Sequence, residues 1–348
     1  MKISLKVKRT AARLFLPGFL ASAAALLFPL EESLRAASPV DEPARLAALL
    51  AANAAEISRM KEGLAAGESR PEWTRLRAEI DSAAHQRDAA WSGLYWYTGL
   101  SEALAAAKRE GKPVLSLRLL GRLDEELSCA NSRFFRTALY ANAAVSDELR
   151  KNWILHWESV RPAPKVTIDF GDGRVLHRTI TGNSLHYVLD AEGHAKDVLP
   201  GLWGPGNFLR RLRGEGPASS SLDANSRLLM RAKAPKMSDA AFARLVAAFE
   251  GTLAEDTSRN AQMRLAILPW LKETPALPAL TERIYRDAFL TPRSDPWLGL
   301  VTADAYAAIE GDPAPGPGGP DALGAGALTA SKMIVERLML TKVAPGRR

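Results

Sequence analysis

Hydrophobic and polar positions follow more than one period along this chain of 348 residues. Between residues 38 and 90, apolar side chains recur every three or four positions in two stretches, 46–64 and 73–84, with a Gly- and Pro-containing break between them. This period is that of an amphipathic helix, so the segment is predicted to form a helical hairpin. Residues 222–310 have the same period and are also predicted to be helical.

Residues 91–213 carry a mixed pattern, in which short apolar runs alternate with helical segments. The runs predict buried strands at residues 94–97, 114–120, 153–157, 185–189 and 194–199. The segments between them predict helices at residues 101–109, 129–140 and 145–151 and from Gly204 onward. Ser101 is the predicted N-cap of the first helix and Gly111 its stop. Two alternating runs around Gly171-Asp172-Gly173 predict a β-hairpin, so the segment is interpreted as an α/β unit with a hairpin insertion.

The first 37 residues have the composition of a targeting segment. All residues before position 14 that carry a charge are basic, and residues 14–30 are uncharged and mostly apolar. A basic region followed by a short apolar region is typical of a secretory signal peptide, with a retained N-terminal anchor as the alternative. Residues 1–37 are therefore predicted to direct export to the periplasm or cell envelope, with membrane contact only if the segment is retained.

The charge of the chain argues against one class of partner. The sequence has 46 Lys and Arg against 39 Asp and Glu, a net charge of +7. Residues 1–37 contain six basic and two acidic residues, so the remaining chain carries a net charge of +3. This weak bias is spread over the chain without a basic stripe, which argues against nucleic-acid binding.

Composition marks two further boundaries. A Ser-, Gly- and Pro-containing linker follows the mixed segment, and a Pro/Gly-rich loop precedes a last amphipathic helix at residues 327–340. The predicted organisation is a leader at 1–37, a helical hairpin at 38–90, an α/β unit at 91–213, the linker at 214–221 and a helical C-terminal region at 222–348 with the Pro/Gly-rich loop at 313–320.

Cys129 is the only cysteine of the sequence, and it stands at the start of a predicted helix. A thiol at a helix N-terminus feels unpaired backbone N–H groups, which favour the thiolate, and Arg133 and Arg136 add positive potential. A single cysteine cannot close an internal disulfide. The thiol is therefore interpreted either as a nucleophile available to another molecule or as a small hydrophobic side chain packed in a core.

Several local signatures of residues 91–213 occur in a known order. A helix ends at Gly111-Lys112-Pro113 ahead of a strand, Cys129-Ala130-Asn131-Ser132 begins the next helix, and Gly201 to Phe208 has the pattern Gly-x-x-x-Pro-x-x-Phe. In this order of elements the segment resembles the thioredoxin-fold superfamily, and its exported branch in particular. The resemblance implies a thioredoxin-like α/β domain, flanked by the N-terminal helical hairpin and the C-terminal helical region.

The segment departs from the family pattern at several positions. Ser132 replaces the second cysteine of the Cys-x-x-Cys motif, and Leu127-Ser128 replaces the aromatic residue that precedes it. Ser184 corresponds to the cis-proline that lies against the cysteine in the family and helps to bind the substrate backbone. Residues 161–181 replace the helix expected between the third and fourth strands.

The resemblance implies a thiol-dependent redox protein. Cys129 would be the nucleophile, Ser132 would stabilise its thiolate, and Ser184, Asn183 and His186 would form a substrate-binding shelf. The partner would be a protein or small-molecule thiol or disulfide, and neither a cofactor nor a metal is expected. The alternative is a non-catalytic binding or scaffold protein of the cell envelope, in which Cys129 is incidental. Exposure of the sulfur distinguishes the two.

Two histidines are additional candidates. The implied fold places His156 and His186 on neighbouring strands, with His186 on the same face as Ser184. A histidine near a thiol can act as a general base. A strand histidine can equally be a core residue whose ring is held by its neighbours.

Overall fold

The computed structural model describes residues 42–179, 182–214 and 219–294. Some predicted features fall outside these residues: the leader at 1–37, most of the linker core at 215–218, the Pro/Gly-rich loop at 313–320 and the last helix at 327–340. Within the described ranges, no helix combines the length and the apolar character needed to cross a bilayer.

Helices precede and follow a central segment of mixed helices and strands. The first are α1 Glu42–Ala52, α2 Ala54–Ala65, α3 Pro71–Ala84 and α4 Ala89–Ser92. The central segment contains α5 Leu100–Glu110, β1 Val114–Leu120, α6 Ala130–Phe134, α7 Ala143–Asn152, β2 Ile154–Arg161, β3 Lys165–Asp169, β4 Val175–Thr179, β5 Leu185–Leu189, β6 Ala195–Pro200 and α8 Pro205–Arg213. The last are α9 Ala224–Lys233, α10 Asp239–Ile267, α11 Trp270–Glu273 and α12 Leu277–Arg283. Helices α6 and α12 each continue into a π-helical turn, at Phe135–Leu139 and Ile284–Ala288.

The central segment is mixed α/β, with a four-stranded sheet in the order β2-β1-β5-β6. Strands β1 and β2 are parallel, whereas β5 runs antiparallel to β1 and β6 antiparallel to β5. A parallel pair needs a crossover connection, and α6 and α7 provide it. Strand β1 has a neighbour on each edge, and every one of its residues is buried. Strands β3 and β4 form a separate antiparallel hairpin.

The two faces of the sheet are covered by different helices. Ser116 of β1 lies opposite Tyr187 of β5, whose hydroxyl is 3.1 Å from the Thr281 hydroxyl of α12. Leu117 points to the other face with His186, whose ring contacts Phe135 of the π-helical turn after α6. Helix α12, whose Thr281 lies 94 positions after Tyr187 along the chain, is therefore a covering layer of the sheet.

The helices after residue 222 share one hydrophobic core with the sheet. The rings of Phe134 in α6 and Phe249 in α10 stack with centroids 5.5 Å apart. Arg264 of α10 forms two hydrogen bonds of 2.7 Å to the Asp197 carboxylate of β6. The predicted C-terminal helical region thus contributes directly to packing of the central segment.

The sequence-based predictions agree with most elements and differ at three points. The bounds predicted for β1 and β5 are confirmed, as is Gly111 as the stop of α5. The first predicted helix is interrupted at Asn53, whose side-chain amide donates to the Leu49 carbonyl at 2.9 Å and so competes with the backbone ladder. The prediction of Ser101 as N-cap is wrong, because α5 begins at Leu100 and its N-cap is Gly99. The predicted strand at 94–97 is a single bridge, between Tyr97 and His156.

A buried ionic network joins the N-terminal helices to α9. Asp88, which adopts a left-handed backbone conformation (φ 61°), accepts a 2.7 Å hydrogen bond from Lys233 and lies 3.2 Å from Arg77. Burial alone would raise the pKa of the Asp88 carboxyl, but the cationic groups of Lys233, Arg136 and Arg77 hold it well below its ordinary value. Neighbouring Asp81 has its pKa raised to about 6 by burial and by the charge of Asp88. The buried charged form of Asp88 is therefore stabilised by the cationic side chains beside it.

Replacing Lys233 tests that dependence. The variant Lys233→Met leaves the buried Asp88 carboxylate without its closest cation, so we expect the free energy of unfolding at neutral pH to fall by about 3–5 kcal/mol. The measurement is urea unfolding followed by circular dichroism.

Two further variants serve as controls for this prediction. Lys272→Met changes an exposed lysine of α11 and should alter the stability by less than about 0.5 kcal/mol. Adding Asp88→Asn to Lys233→Met removes the stranded charge, and asparagine tolerates the left-handed conformation, so part of the loss should be recovered. Equal losses in the single and double variants would contradict the assigned pairing.

Candidate functional site

Cys129 is the N-cap residue of α6 and is completely buried, with 0 % of its surface exposed. Its sulfur accepts the backbone N–H of Ser132 at 3.4 Å. The backbone N–H of Cys129 donates to the Leu120 carbonyl at the end of β1, at 3.1 Å. The predicted start of the helix is therefore confirmed, and the thiol lies at the C-terminal end of β1 inside the protein.

Hydroxyl groups and arginines surround the turn that carries the thiol. The Ser132 hydroxyl hydrogen-bonds the Ser128 hydroxyl, one turn earlier in the chain. Thr179, the last residue of β4, donates to the Ser128 carbonyl at 3.1 Å and accepts from Arg133 at 2.9 Å. Arg136 donates to the Ser128 hydroxyl at 3.4 Å. These bonds hold the base of the β3–β4 hairpin against the cysteine turn.

The loop before β5 packs directly on the first turn of α6. The Asn131 side-chain amide donates to the Ser184 hydroxyl at 2.9 Å, and both residues are buried. Gly182 comes so close that a Cβ atom there would lie 3.0 Å from the backbone nitrogen of Asn131. The loop that carries Ser184 thus packs on the turn that carries Cys129 and Ser132, through Asn131, with Gly182 permitting the approach.

The C-terminal helices cover this loop. The Tyr285 hydroxyl donates to the Asn183 carbonyl at 3.0 Å, and the Asn183 side-chain amide donates to the Thr291 hydroxyl at 2.8 Å. Tyr285 is fully buried; burial raises the pKa of its hydroxyl well above its ordinary value, and a negative charge on Cys129 would raise it further. Both the carbonyl and the side chain of Asn183 are thus bound within the protein.

His186 lies in the core below the site. Its Nε2 atom is 2.6 Å from the Tyr140 hydroxyl, and its ring packs against Phe135 and Phe208. Burial lowers the pKa of His186 to about 3. The imidazole is therefore neutral at physiological pH, and its surroundings are those of a core residue.

The prediction that His156 and His186 lie on neighbouring strands is wrong. Strand β1 separates β2 from β5, because the chain places β5 on the free edge of β1. His156 faces the opposite side of the sheet from His186, paired with Ser116, whose hydroxyl lies 2.8 Å from its Nδ1. Burial, and then the charge of Arg118, lower the pKa of His156 to about 3. The two histidines cannot act together.

Arg118 is a buried charged residue in the middle of β1. It donates to the Ser116 hydroxyl at 2.7 Å and forms an ion pair of 3.1 Å with Glu158 on β2. The sequence signal for it is a single charged residue in the apolar run 114–120. Ser116, Arg118 and His156 form a polar row on the sheet face to which Tyr187 and α12 also belong.

Metal ligands do not converge anywhere in the described residues: no group of three or more His, Cys, Asp or Glu side chains is placed to hold a metal ion. A scan against protein-family models, a search of curated proteins and a search of solved structures each find no match to this chain. The geometry of the cysteine turn and its cover therefore carries the functional inference.

Sequence reasoning did not identify the residues that close the site. Gly182 stands in a loop of turn-forming residues, and a glycine there was the sequence signal that could have indicated a close approach of the backbone. No sequence signal indicates Tyr285 or Thr291. Both are more than 100 positions from Asn183 in the chain, and no distinctive motif surrounds them. Asn131 was one of the variable positions inside Cys-x-x-Ser.

The close approach of Gly182 is testable by adding one methyl group. Gly182→Ala places a Cβ atom against the backbone of Asn131, so we expect a loss of about 1–3 kcal/mol in unfolding free energy. The matched control is Gly251→Ala in α10, where a Cβ meets nothing within 4 Å. Because alanine is the better helix former, the control should gain about 0.5–1 kcal/mol. Chemical denaturation measures both variants, and equal changes in their unfolding free energies would rule out the close approach of Gly182 to Asn131.

The buried neutral state of His186 predicts a pH dependence of stability. In the unfolded chain the pKa returns to about 6.5, whereas in the folded protein it is about 3. The unfolded state therefore binds more protons between these values, and stability is lost as pH falls through this window. His186→Gln removes the titration, so between about pH 7.5 and pH 5 it should lose about 2 kcal/mol less than the wild type in urea unfolding. An identical pH dependence of the two proteins would contradict the burial of a neutral imidazole.

Proposed function

We propose that this chain is a non-catalytic binding or scaffold protein of the cell envelope, in which C-terminal helices lock a thioredoxin-like unit. The observation that carries the proposal is the complete burial of Cys129 under a cover supplied by the same chain. A thiol must reach its substrate to form a mixed disulfide, and this sulfur is not accessible in the folded protein.

The strand arrangement supports a thioredoxin-like unit. Strands β1 and β2 form a parallel pair with a helical crossover, β5 and β6 add an antiparallel pair on the other edge of β1, and α8 follows. A thioredoxin-like domain would have this succession of strands and helices, which is why we propose that fold for the central segment. The packing of Gly182 and Ser184 on the cysteine turn supports it as well, since the family places its substrate-binding loop there.

The position of α12 supports a locked unit. The β3–β4 hairpin stands in the chain where the thioredoxin fold has a helix between its third and fourth strands. Helix α12 covers that face of the sheet instead, through the contact between Thr281 and Tyr187. The π-helical turn after α12 then brings Tyr285 over the Asn183 carbonyl. One helix thus both fills the sheet face and closes the loop.

The hydrogen bonds of the loop before β5 argue against binding of a peptide substrate there. In the thioredoxin family the loop before the fourth strand helps to bind the substrate backbone, and in the corresponding loop before β5 the Asn183 carbonyl already accepts the Tyr285 hydroxyl. The second sulfur of the family motif is also replaced by Ser132, whose hydroxyl is bonded to Ser128. Any disulfide chemistry would therefore need both displacement of the cover and an external thiol for resolution.

One observation favours a second candidate, a monothiol thiol-disulfide oxidoreductase acting through Cys129. The Ser132 N–H donates to the sulfur, which is the hydrogen bond that stabilises a thiolate at a helix start. In that candidate, a partner would displace Tyr285 and the helix that carries it. Placement in the cell envelope rests for both candidates on the sequence of residues 1–37.

Alkylation of the single thiol distinguishes the two candidates. For the locked scaffold, iodoacetamide should modify less than about one tenth of the native protein in the time that fully labels it in 6 M urea, because only opening of the structure exposes Cys129. The matched control is the double variant Cys129→Ala with Ser258→Cys, which moves the only thiol to an exposed position of α10 and should be labelled at once. Mass spectrometry measures both.

A cover variant gives the proposal a second test. Tyr285→Ala removes the hydroxyl on the Asn183 carbonyl and opens the loop. If native Cys129 is labelled as fast as the control thiol, the proposal fails. If Tyr285→Ala yields a thiol that reacts faster than the control thiol at pH 7 and, with excess glutathione supplied as the resolving thiol, accelerates the reduction of insulin disulfides, the oxidoreductase candidate replaces it. A thiol that stays slow, with no reductase activity, supports the scaffold.

A further inference from the structure

The β3–β4 hairpin presents apolar side chains and an unpaired strand edge to solvent. Ile168, Phe170 and Val175 are 43 %, 52 % and 44 % exposed, three of the five large hydrophobic residues that the described part of the chain leaves exposed. Among the described residues, β3 pairs only with β4. An exposed strand edge is a template for pairing with another strand.

The hydrogen-bond pattern shows which groups of β3 point outward. The Phe170 N–H donates to the Arg174 carbonyl at 3.1 Å, and Ile168 lies opposite Leu176 in the same register. In an antiparallel pair, hydrogen-bonded and non-bonded residues alternate. The N–H and C=O groups of the intervening residues Lys165, Thr167 and Asp169 therefore face away from β4.

We propose that β3 pairs antiparallel with β3 of a second copy of this chain, about a two-fold axis at Thr167. The sequence Lys165-Val166-Thr167-Ile168-Asp169 is complementary to itself in that register. Lys165 lies opposite Asp169 of the partner subunit, and Asp169 lies opposite Lys165 of the partner subunit. Thr167 meets its own copy, and the outward backbone groups of all three residues form the new ladder.

The charges select this partner over an arbitrary strand. Charged residues on a strand edge normally prevent pairing, and Lys165 and Asp169 are both exposed at this edge. Only the two-fold register turns them into two cross-strand ion pairs, because a shift of two residues sets Lys165 opposite Thr167. The exposed Ile168, on the other face of the strand, loses solvent contact in the same pairing.

The outer edge of β4 is a poorer candidate for self-pairing. Its last residue, Thr179, is buried, and its hydroxyl is bonded to Ser128 and Arg133. An incoming strand would have to cover this anchored end. Two side chains of β3 form hydrogen bonds within the hairpin: the Thr167 hydroxyl bonds to His177, and the Asp169 carboxylate accepts the Gly171 N–H.

The size of the contact sets its strength. Five residues per subunit form a small interface compared with the roughly 1,600 Å² of a standard stable complex. The dimer should therefore be reversible, with a dissociation constant in the range of about 1–100 μM. This inference does not rest on the proposed function, because the pairing uses neither Cys129 nor its cover.

Sedimentation velocity of the full chain, over about 1–500 μM, measures the dimer. Lys165→Asp and Asp169→Lys each convert both ion pairs into like-charge pairs, so each should raise the dissociation constant by roughly tenfold or more. The combined variant Lys165→Asp with Asp169→Lys restores opposite charges in the same register and should recover the dimer. Lys272→Asp makes the same change of charge as Lys165→Asp on exposed α11 and should leave the dimer unchanged.

The recovery in the combined variant is the deciding result. A chain that stays monomeric at every concentration overturns the inference, and so does a dimer that is insensitive to both single variants. Failure of the combined variant to recover the dimer also overturns the two-fold register. Because thiol labelling is read separately, a monomer with a protected Cys129 would refute the pairing alone and leave the proposed function standing.

Discussion

Exclusion of water from the first turn of α6 is the constraint on which the rest of the structure depends. A buried polar group without a partner costs free energy comparable to a lost hydrogen bond, and several polar side chains there are hydrogen-bonded by groups of the same chain. Ser132 bonds Ser128, Asn131 bonds Ser184, and Thr179 links Arg133 to the turn. The hairpin, the loop before β5 and the cysteine turn are therefore held as one unit.

The same constraint separates two properties that thiol chemistry requires together. A reactive cysteine needs hydrogen-bond donors that stabilise its thiolate and also a path for the substrate. The turn supplies a donor, the Ser132 N–H, whereas Tyr285 and its helix remove the path. The polar row of Ser116, Arg118 and His156 lies under the same helix, which makes the covered face of the sheet unusually polar for a core. These three side chains hydrogen-bond to one another, which lowers the cost of burying them.

The flanking helices are joined to the central segment by charge as well as by apolar packing. Asp88, Lys233 and Arg77 connect the N-terminal helices to α9, and Arg264 clamps Asp197 at the edge strand β6. Buried ion pairs add little net stability, but each partner is costly to leave alone, so these contacts oppose separation of the helices from the central segment.

The sequence alone determined the local elements, because their signals are local. The apolar runs predicted the bounds of β1 and β5 to the residue. Gly111 marked the end of α5, Gly204 the start of α8, and Cys129 the start of α6. It failed at Ser101 and Asn53, where the exact position of a helix boundary depends on small differences in local hydrogen bonding. Only the tertiary structure decided that β1 separates the two histidines and that Tyr285, about 100 positions away, closes the loop at Asn183. Such contacts follow from how packed layers meet, and no spacing along the chain encodes them.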